Sequence, residues 1–253
     1  TGVYRSTDYG VSWEAINVGL LSNFNEVGTM RGIYTDPNDG NIVYIVTSKG
    51  LFKTTNGTAI TPIWNQLNTP TSNSNDFSGF RLHPNNSNIM YAASNEIIKS
   101  VDGGNTWQNL TGSSTSLDIS TLPNNFSVER IVLDVTPAND DRLYAFIMGF
   151  EEINDTTFGV LKPSWMGFAV SPVDQNSVFF GSLNYKGDFD ISLTNPQNSF
   201  KNSGFRIHAD IHVMKYEPNV SEPELFVGHH GGISRGKKEW SSVSVPNQYF
   251  MNF

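Results

Sequence analysis

Three observations predict an all-β chain built from repeated four-stranded antiparallel sheets. Ser6-Thr7-Asp8-Tyr9-Gly10-Val11-Ser12-Trp13 recurs as Ser100-Val101-Asp102-Gly103-Gly104-Asn105-Thr106-Trp107, both of the form S-x-D-x-G-x-[ST]-W. Pro37, Pro84, Pro137, Pro172 and Pro218 stand in polar turns 47, 53, 35 and 46 residues apart. A short apolar, aromatic-rich run follows each of those turns.

The first unit, 2–16, reads as a strand, a tight turn and a strand carrying Trp13, which is half a sheet. The second starts at Met30-Arg31-Gly32-Ile33-Tyr34-Thr35, turns at Pro37 and continues through 42–46, 50–53 and 63–67. Four β-branched and aromatic runs joined by short turns make one antiparallel sheet. Thr54-Thr55-Asn56-Gly57 stands in it as a degraded copy of the octapeptide. The third unit is the most complete: 79–83, 89–93, 97–99, the full octapeptide and 107–110. The fourth runs through 128–135 and 142–146, with no recognisable octapeptide between 149 and 164. The fifth has strands at 167–172 and 177–181 and a degenerate outer half at 188–192; the sixth has 207–216, 224–228 and 232–235 and ends at Trp240.

Proline is tolerated at these turns because no ladder N–H is needed there, and the second strand is continuously apolar because both its faces are covered. A period of this length is that of β-propeller blades, and the fold predicted is a propeller of about six to seven blades. The expected organisation is a single propeller domain over 1–253, a fragment or processed piece of a longer chain. Gln248-Tyr249-Phe250-Met251-Asn252-Phe253 reads as a lone first strand that closes the ring if it shares a sheet with the N-terminal half-unit.

In the octapeptide the carboxylate accepts backbone N–H groups, glycine supplies a positive φ, and the Trp leaves on the next strand. Ser6, Asp8, Gly10, Trp13, Ser100, Asp102, Gly104 and Trp107 are therefore structural, and Trp13, Trp64, Trp107 and Trp240 are expected to be buried between layers. The motif resembles the Asp-box of BNR-type β-propellers, a group that includes sialidases, sortilin-like receptors, xyloglucanase-type glycoside hydrolases and many secreted bacterial surface proteins. The resemblance covers most of the chain and is strongest over 1–16, 79–110 and 205–240. It implies a secreted or cell-surface protein of a Bacteroidetes-like bacterium, exported by the type IX route.

Composition narrows the partners. Net charge is −8, and the 16 Lys and Arg residues form no basic stripe, which argues against nucleic acid. Cysteine is absent, so there is no disulfide framework, thiolate metal set or thiol nucleophile. No apolar run approaches the ~20 residues of a membrane helix.

The densest polar constellation is His208-Ala209-Asp210-Ile211-His212 with His229-His230. On a strand, positions 208, 210 and 212 share one face, so two imidazoles and a carboxylate converge. With His230 they form a hydrogen-bonded polar plug, a divalent-metal set or a catalytic or ligand-binding site; no cofactor is required. Phe205-Arg206-Ile207-His208 resembles the F-R-I-P signature of sialidases, whose arginine grips a carboxylate, but His208 replaces the proline and Phe80-Arg81-Leu82-His83-Pro84 repeats the pattern at an ordinary blade position. Hydrolysis by two facing carboxylates has Asp134, Asp210 and Glu217 as candidates, with no spacing that selects a pair. Trp165, Tyr185 and Tyr249 are candidates for stacking on sugar rings. The expected function is non-catalytic binding or adhesion, recognising a glycan or a surface or secretion-machinery protein. A xyloglucanase-like glycoside hydrolase and a structural scaffold of a surface complex are the alternatives.

Overall fold

The computed structural model describes residues 2–20, 28–70, 75–112, 115, 117, 126–151, 166–182, 186–190, 211–218, 220–229, 232–236 and 249–251. Among them every regular element is a β-strand, and every strand pair whose register is defined runs antiparallel. The first sheet is β1 (Tyr4–Arg5) with β2 (Glu14–Ala15). The second runs β3 (Met30–Thr35), β4 (Val43–Thr47), β5 (Gly50–Thr54), β6 (Asn65–Gln66). The third repeats that order with β7 (Gly79–His83), β8 (Asn86–Ala93), β9 (Ile97–Ser100) and β10 (Gln108–Asn109). Next come the pair β11 (Phe126–Thr136) and β12 (Asn139–Glu151), then β13 (Met166–Val170), β14 (Ser177–Ser182) and β15 (Lys186–Asp190). The sixth sheet is β16 (Ile211–Tyr216), β17 (Leu225–His229), β18 (Gly232–Gly236) and β19 (Tyr249–Met251).

The chain forms two compact units, Thr1–Ile131 and Val132–Phe253. In the first, β4 is covered on both faces, which is why it reads as an unbroken apolar run. Ile45 packs with Val3, Ile16, Leu20 and Trp64; Tyr44 and Val46 pack with Phe77, Phe80, Met90 and Ile98 of the next sheet. Each fully buried side chain of this size contributes about 1.5–3 kcal/mol of transfer free energy. In the second unit, Val132 packs with Phe168, Val170 and Val178, and Ala169 and Phe179 pack with Met214, Leu225 and Val227.

The residue before four of the five turn prolines is polar and buried, and it closes the turn. Asp36 Oδ1 accepts from Asn38 N at 2.8 Å, His83 Nδ1 from Asn85 N at 3.2 Å, Thr136 Oγ1 from Ala138 N at 3.2 Å, and Ser171 Oγ from Val173 N at 3.4 Å. Four different side chains thus meet one need, an acceptor for the N–H two residues on.

Two expectations are corrected. β19 is the outermost strand of the sixth sheet, with Ile233↔Met251, Ser234↔Phe250 and Arg235↔Tyr249 in register, and is not a first strand shared with the N-terminal half-unit. Pairing with the strand just before it in sequence closes the shorter loop. Trp13 is exposed, Trp107 half-buried and Trp64 buried. Among the described residues Trp13 belongs to no buried cluster of the first unit, whose first sheet packs on the second through Val3 and Ile16; Trp240 lies outside the described residues.

Candidate functional site

The two octapeptides fold into the same turn. Ser6 Oγ and Ser100 Oγ each donate to the Asp two residues on, Oδ1 of Asp8 and of Asp102, both at 2.8 Å, and accept from Gly10 N and Gly104 N at 2.7 and 2.9 Å. Asp8 accepts Ser12 N on Oδ1 and Ser12 Oγ on Oδ2; Asp102 accepts Thr106 N and Thr106 Oγ1 in the same way. The indoles then donate back across the turn, Trp13 Nε1 to Gly10 O and Trp107 Nε1 to Gly104 O. The hydroxyls of Ser12 and Thr106, foremost among these donors, hold both carboxyl groups at about 2, well below their usual range. Carboxylates committed in this way hold the turn closed.

Thr54 and Asn56 form the same turn in degraded form: Thr54 Oγ1 donates to Asn56 Oδ1 at 2.8 Å, and Ile63 N donates to that oxygen at 2.9 Å, seven residues on instead of four. The cation preceding each of the first two turns reaches the following one. Arg5 Nη1 donates to the carbonyls of Gly57 and Ala59, and Lys53 Nζ donates to Gly103 O at 2.9 Å. Burial pulls the Lys53 ammonium below its ordinary value, partly offset by the negative charge of Asp36.

A second cluster gathers on the first strands of consecutive sheets in the first unit. Arg31 is the extra residue of a β-bulge, since Met30 pairs with Thr47 and Gly32 with Val46; such a bulge re-aims the side chain it carries. Arg31 pairs with Asp76 at 2.7 Å. Arg81 Nη1 donates to Tyr34 Oη at 3.3 Å, and its guanidinium carbon lies 5.8 Å from the Tyr34 ring centroid. The Tyr34 ring leans on Phe80 at 5.1 Å and folds back over Gly32, where a Cβ would come within 2.8 Å of it. Arg130, half-buried, is in the field of Arg31, Asp76 and Tyr34; burial first and Arg31 second pull its affinity for the proton down. Three guanidiniums, one phenol and one carboxylate thus meet at this place. Sequence reasoning passed over them, although Arg31, Arg81 and Arg130 recur at 50 and 49 residues, one repeat apart.

The predicted polar set is described only in part. His212 is the half-buried extra residue of a bulge in β16, at the place Arg31 takes in β3, each six residues before its turn proline. His208, Asp210 and His230 lie outside the described residues, as do Arg206, Trp165 and Tyr185. Among the described residues no group of three or more His, Cys, Asp and Glu is placed to hold a metal ion. Asp134 accepts Val170 N at 2.7 Å, so its carboxylate ties one first strand to the next. Glu217 is half-buried, and its N–H donates to Glu224 O.

No protein-family model and no curated protein matches this chain. Solved structures do. An ancestral GH74 enzyme superposes with a TM-score of 0.61 at 17% identity, over 93% of this chain and 33% of its own. The GH74 enzyme of Niastella koreensis gives 0.53 at 19%, over 92% and 40%. The extracellular domain assigned to a hybrid two-component system of B. thetaiotaomicron gives 0.53 at 10%, over 87% and 30%. The chain therefore spans between three tenths and two fifths of the length of these structures. What the likeness shows is the fold. With the repeated antiparallel sheets, it makes this chain a β-propeller of four-stranded blades.

Proposed function

We propose that the protein is an exported β-propeller module that recognises a glycan or a surface protein without transforming it. The observation that carries this reading is the cluster of Arg31, Tyr34, Asp76, Arg81 and Arg130 in a chain whose net charge is −8. Guanidinium forks and a phenol read hydroxyl and carboxylate groups by directed hydrogen bonds, and ring faces stack on sugars. Hydrolysis of a glycosidic bond needs instead two carboxyl groups facing each other across a cleft. Asp8, Asp36, Asp102 and Asp134 each commit a carboxylate oxygen to a backbone N–H within the sheet framework, which favours binding over hydrolysis.

We read the two octapeptide turns as Asp-boxes of the BNR type. Fold neighbours that include GH74 enzymes and an extracellular domain support a place outside the cell. The Asn-, Ser- and Thr-rich surface suits a bacterial secreted protein, and the type IX route is the proposed exit. Xyloglucanase-type hydrolysis is the second reading, favoured by the likeness to two GH74 enzymes.

A glycan array of neutral, uronate-bearing and sulfated oligosaccharides, run beside hydrolysis assays on the matching polysaccharides, tests the proposal. The expected result is binding without turnover, weakened at least tenfold by Arg31→Ala with Arg81→Ala. Turnover of any polysaccharide transfers the protein to the second reading. Absence of both glycan binding and capture of a surface protein would sink the binding proposal.

A further inference from the structure

The cluster of Arg31, Tyr34, Asp76, Arg81 and Arg130 lies wholly within the first unit. A carboxylate is already seated in it. Arg31 Nη2 stands 2.7 Å from Asp76 Oδ1 and 2.8 Å from Asp76 Oδ2, so one guanidinium nitrogen serves both oxygens. The residues that follow Asp76 fix it there. Phe77 is 0% exposed and its N–H donates to Thr47 O at 3.1 Å; Ser78 N donates to Ala93 O and Ser78 Oγ to Ile131 O, both at 2.8 Å. The last of these bonds draws the segment to the strand that carries Arg130.

The charge of the cluster is one-sided: three guanidiniums and one carboxylate carry +2, in a chain of net −8. Charges farther off than a Debye length, about 8 Å in physiological salt, are screened, so a solute in contact meets the local excess and not the net charge. Burial first and the charge of Arg31 second lower the proton affinity of Arg130, and Asp76 works against them. A further anion in contact relieves the same repulsion. Tyr34 adds a donor, since a phenol that accepts from Arg81 Nη1 still has its own O–H to give.

On the reading that this cluster binds a glycan, we propose that its ligand is an acidic glycan, a uronate carboxylate of which replaces the Asp76 carboxylate on Arg31. Asp76 is then a stand-in built into the chain: it keeps Arg31 aimed while the site is empty and competes with the ligand for the guanidinium. Within the first unit both partners reach solvent, where a single ion pair is held weakly. A uronate that touches Arg31 together with Arg81 or Arg130 gains by the exchange, because charge-assisted bonds to two guanidiniums replace one. The group seated on Arg31 is a carboxylate, which is the reason to assign a uronate before a sulfate ester.

Titration calorimetry tests this with oligomers of galacturonate, mannuronate and glucuronate, each beside its methyl ester, and with neutral and sulfated galactan oligomers. At least one acid is expected to bind at least tenfold more tightly than its own ester, and added salt to narrow the difference. Asp76→Asn is expected to tighten binding of that acid at least threefold and to leave the ester unchanged, whereas Glu14→Gln, which removes the same charge from the first sheet, changes neither. Arg31→Gln is expected to abolish the preference for the acid. Circular dichroism checks that each variant is folded, and Arg31→Lys, which keeps the charge without the fork, replaces Arg31→Gln if the latter is not. Equal binding of acid and ester, or binding of neutral or sulfated oligomers alone, overturns the uronate and leaves the glycan-binding reading standing. Acid binding that Asp76→Asn weakens or leaves unchanged, or that Glu14→Gln tightens equally, overturns the exchange on Arg31. Binding of none of the oligomers overturns both the uronate and the glycan-binding reading.

Discussion

Lys53 Nζ lies 2.9 Å from the carbonyl oxygen of Gly103, so a cation at the end of one sheet's third strand fixes the turn of the following sheet. The ammonium also lies 5.4 Å from the centroid of the Tyr44 ring, and Tyr44 stands opposite Lys53 in the sheet. Lys53→Met keeps most of the apolar stem and removes the donor. It is expected to lower stability by about 1–2 kcal/mol, read as a lower urea midpoint at unchanged slope. No change in midpoint would mean that the contact contributes nothing.

Gly10 and Gly104 share a turn and nearly a φ, +89° and +95°, but a Cβ at Gly104 would be crowded, 3.1 Å from Leu67 Cδ1, where one at Gly10 would lie an ordinary 3.8 Å from the Trp13 ring. Alanine at either position is expected to cost about 1–2 kcal/mol for the left-handed backbone, and Gly104→Ala more, because Leu67 must give way. Tyr9, at φ 60°, holds the place of Gly103, at 75°. Tyr9→Gly is accordingly expected to be neutral or to raise the melting temperature. Equal losses at Gly10 and Gly104 would rule out the Leu67 contact as a factor.

The carboxyl groups of Asp8 and Asp102 are held at about 2 against an ordinary 3.8. A carboxyl depressed in the folded state stabilises it above the unfolded value, and that contribution is lost as pH falls through the folded one. The melting temperature of the wild type is therefore expected to fall between about pH 4 and pH 2. Asp8→Asn with Asp102→Asn should be less stable at pH 7 and lose part of that slope. A parallel curve for the double variant would show that other carboxyls set the acid limit.

Gly32 lets the Tyr34 ring fold back beneath Arg81. Gly32→Ala is expected to displace the ring and weaken ligand binding at least tenfold, about 1.4 kcal/mol, while the fold persists, as titration calorimetry beside a thermal melt would show. Unchanged affinity would remove Tyr34 from the proposed site.

The histidines of 208–212 and His230 are expected to act as a polar plug. Elemental analysis by inductively coupled plasma mass spectrometry on untagged protein should then find no stoichiometric divalent metal. One equivalent, lost in His208→Ala with His212→Ala, would make them a metal site instead.

The sheets were legible because strand faces alternate and turns punctuate: β3, β4, β5, β7, β9, β13, β14 and β18 fall within a residue or two of the apolar runs that predict them. β19 was legible as a strand but not in its pairing, since an apolar run carries no record of which edge it will join. Trp13 and Trp107 are identical in motif and differ in burial, because burial depends on the neighbouring sheet and not on the turn. The arginine cluster escaped because Arg31, Asp76, Arg81 and Arg130 are far apart in sequence and meet only through the stacking of blades; the bulge that aims Arg31 leaves no mark except Gly32.

Asp36, His83, Thr136 and Ser171 each offer one acceptor to one N–H, and the backbone accepts carboxylate, imidazole or hydroxyl alike. A repeat written in acceptor positions can change its letters freely while its geometry stays still. Such a chain drifts out of reach of comparison by sequence long before it drifts out of superposition, so its relatives are to be sought by shape. The letters that selection has reason to hold are then those that the turns do not require, and an invariant arginine or tyrosine among relatives found in that way would mark the ligand.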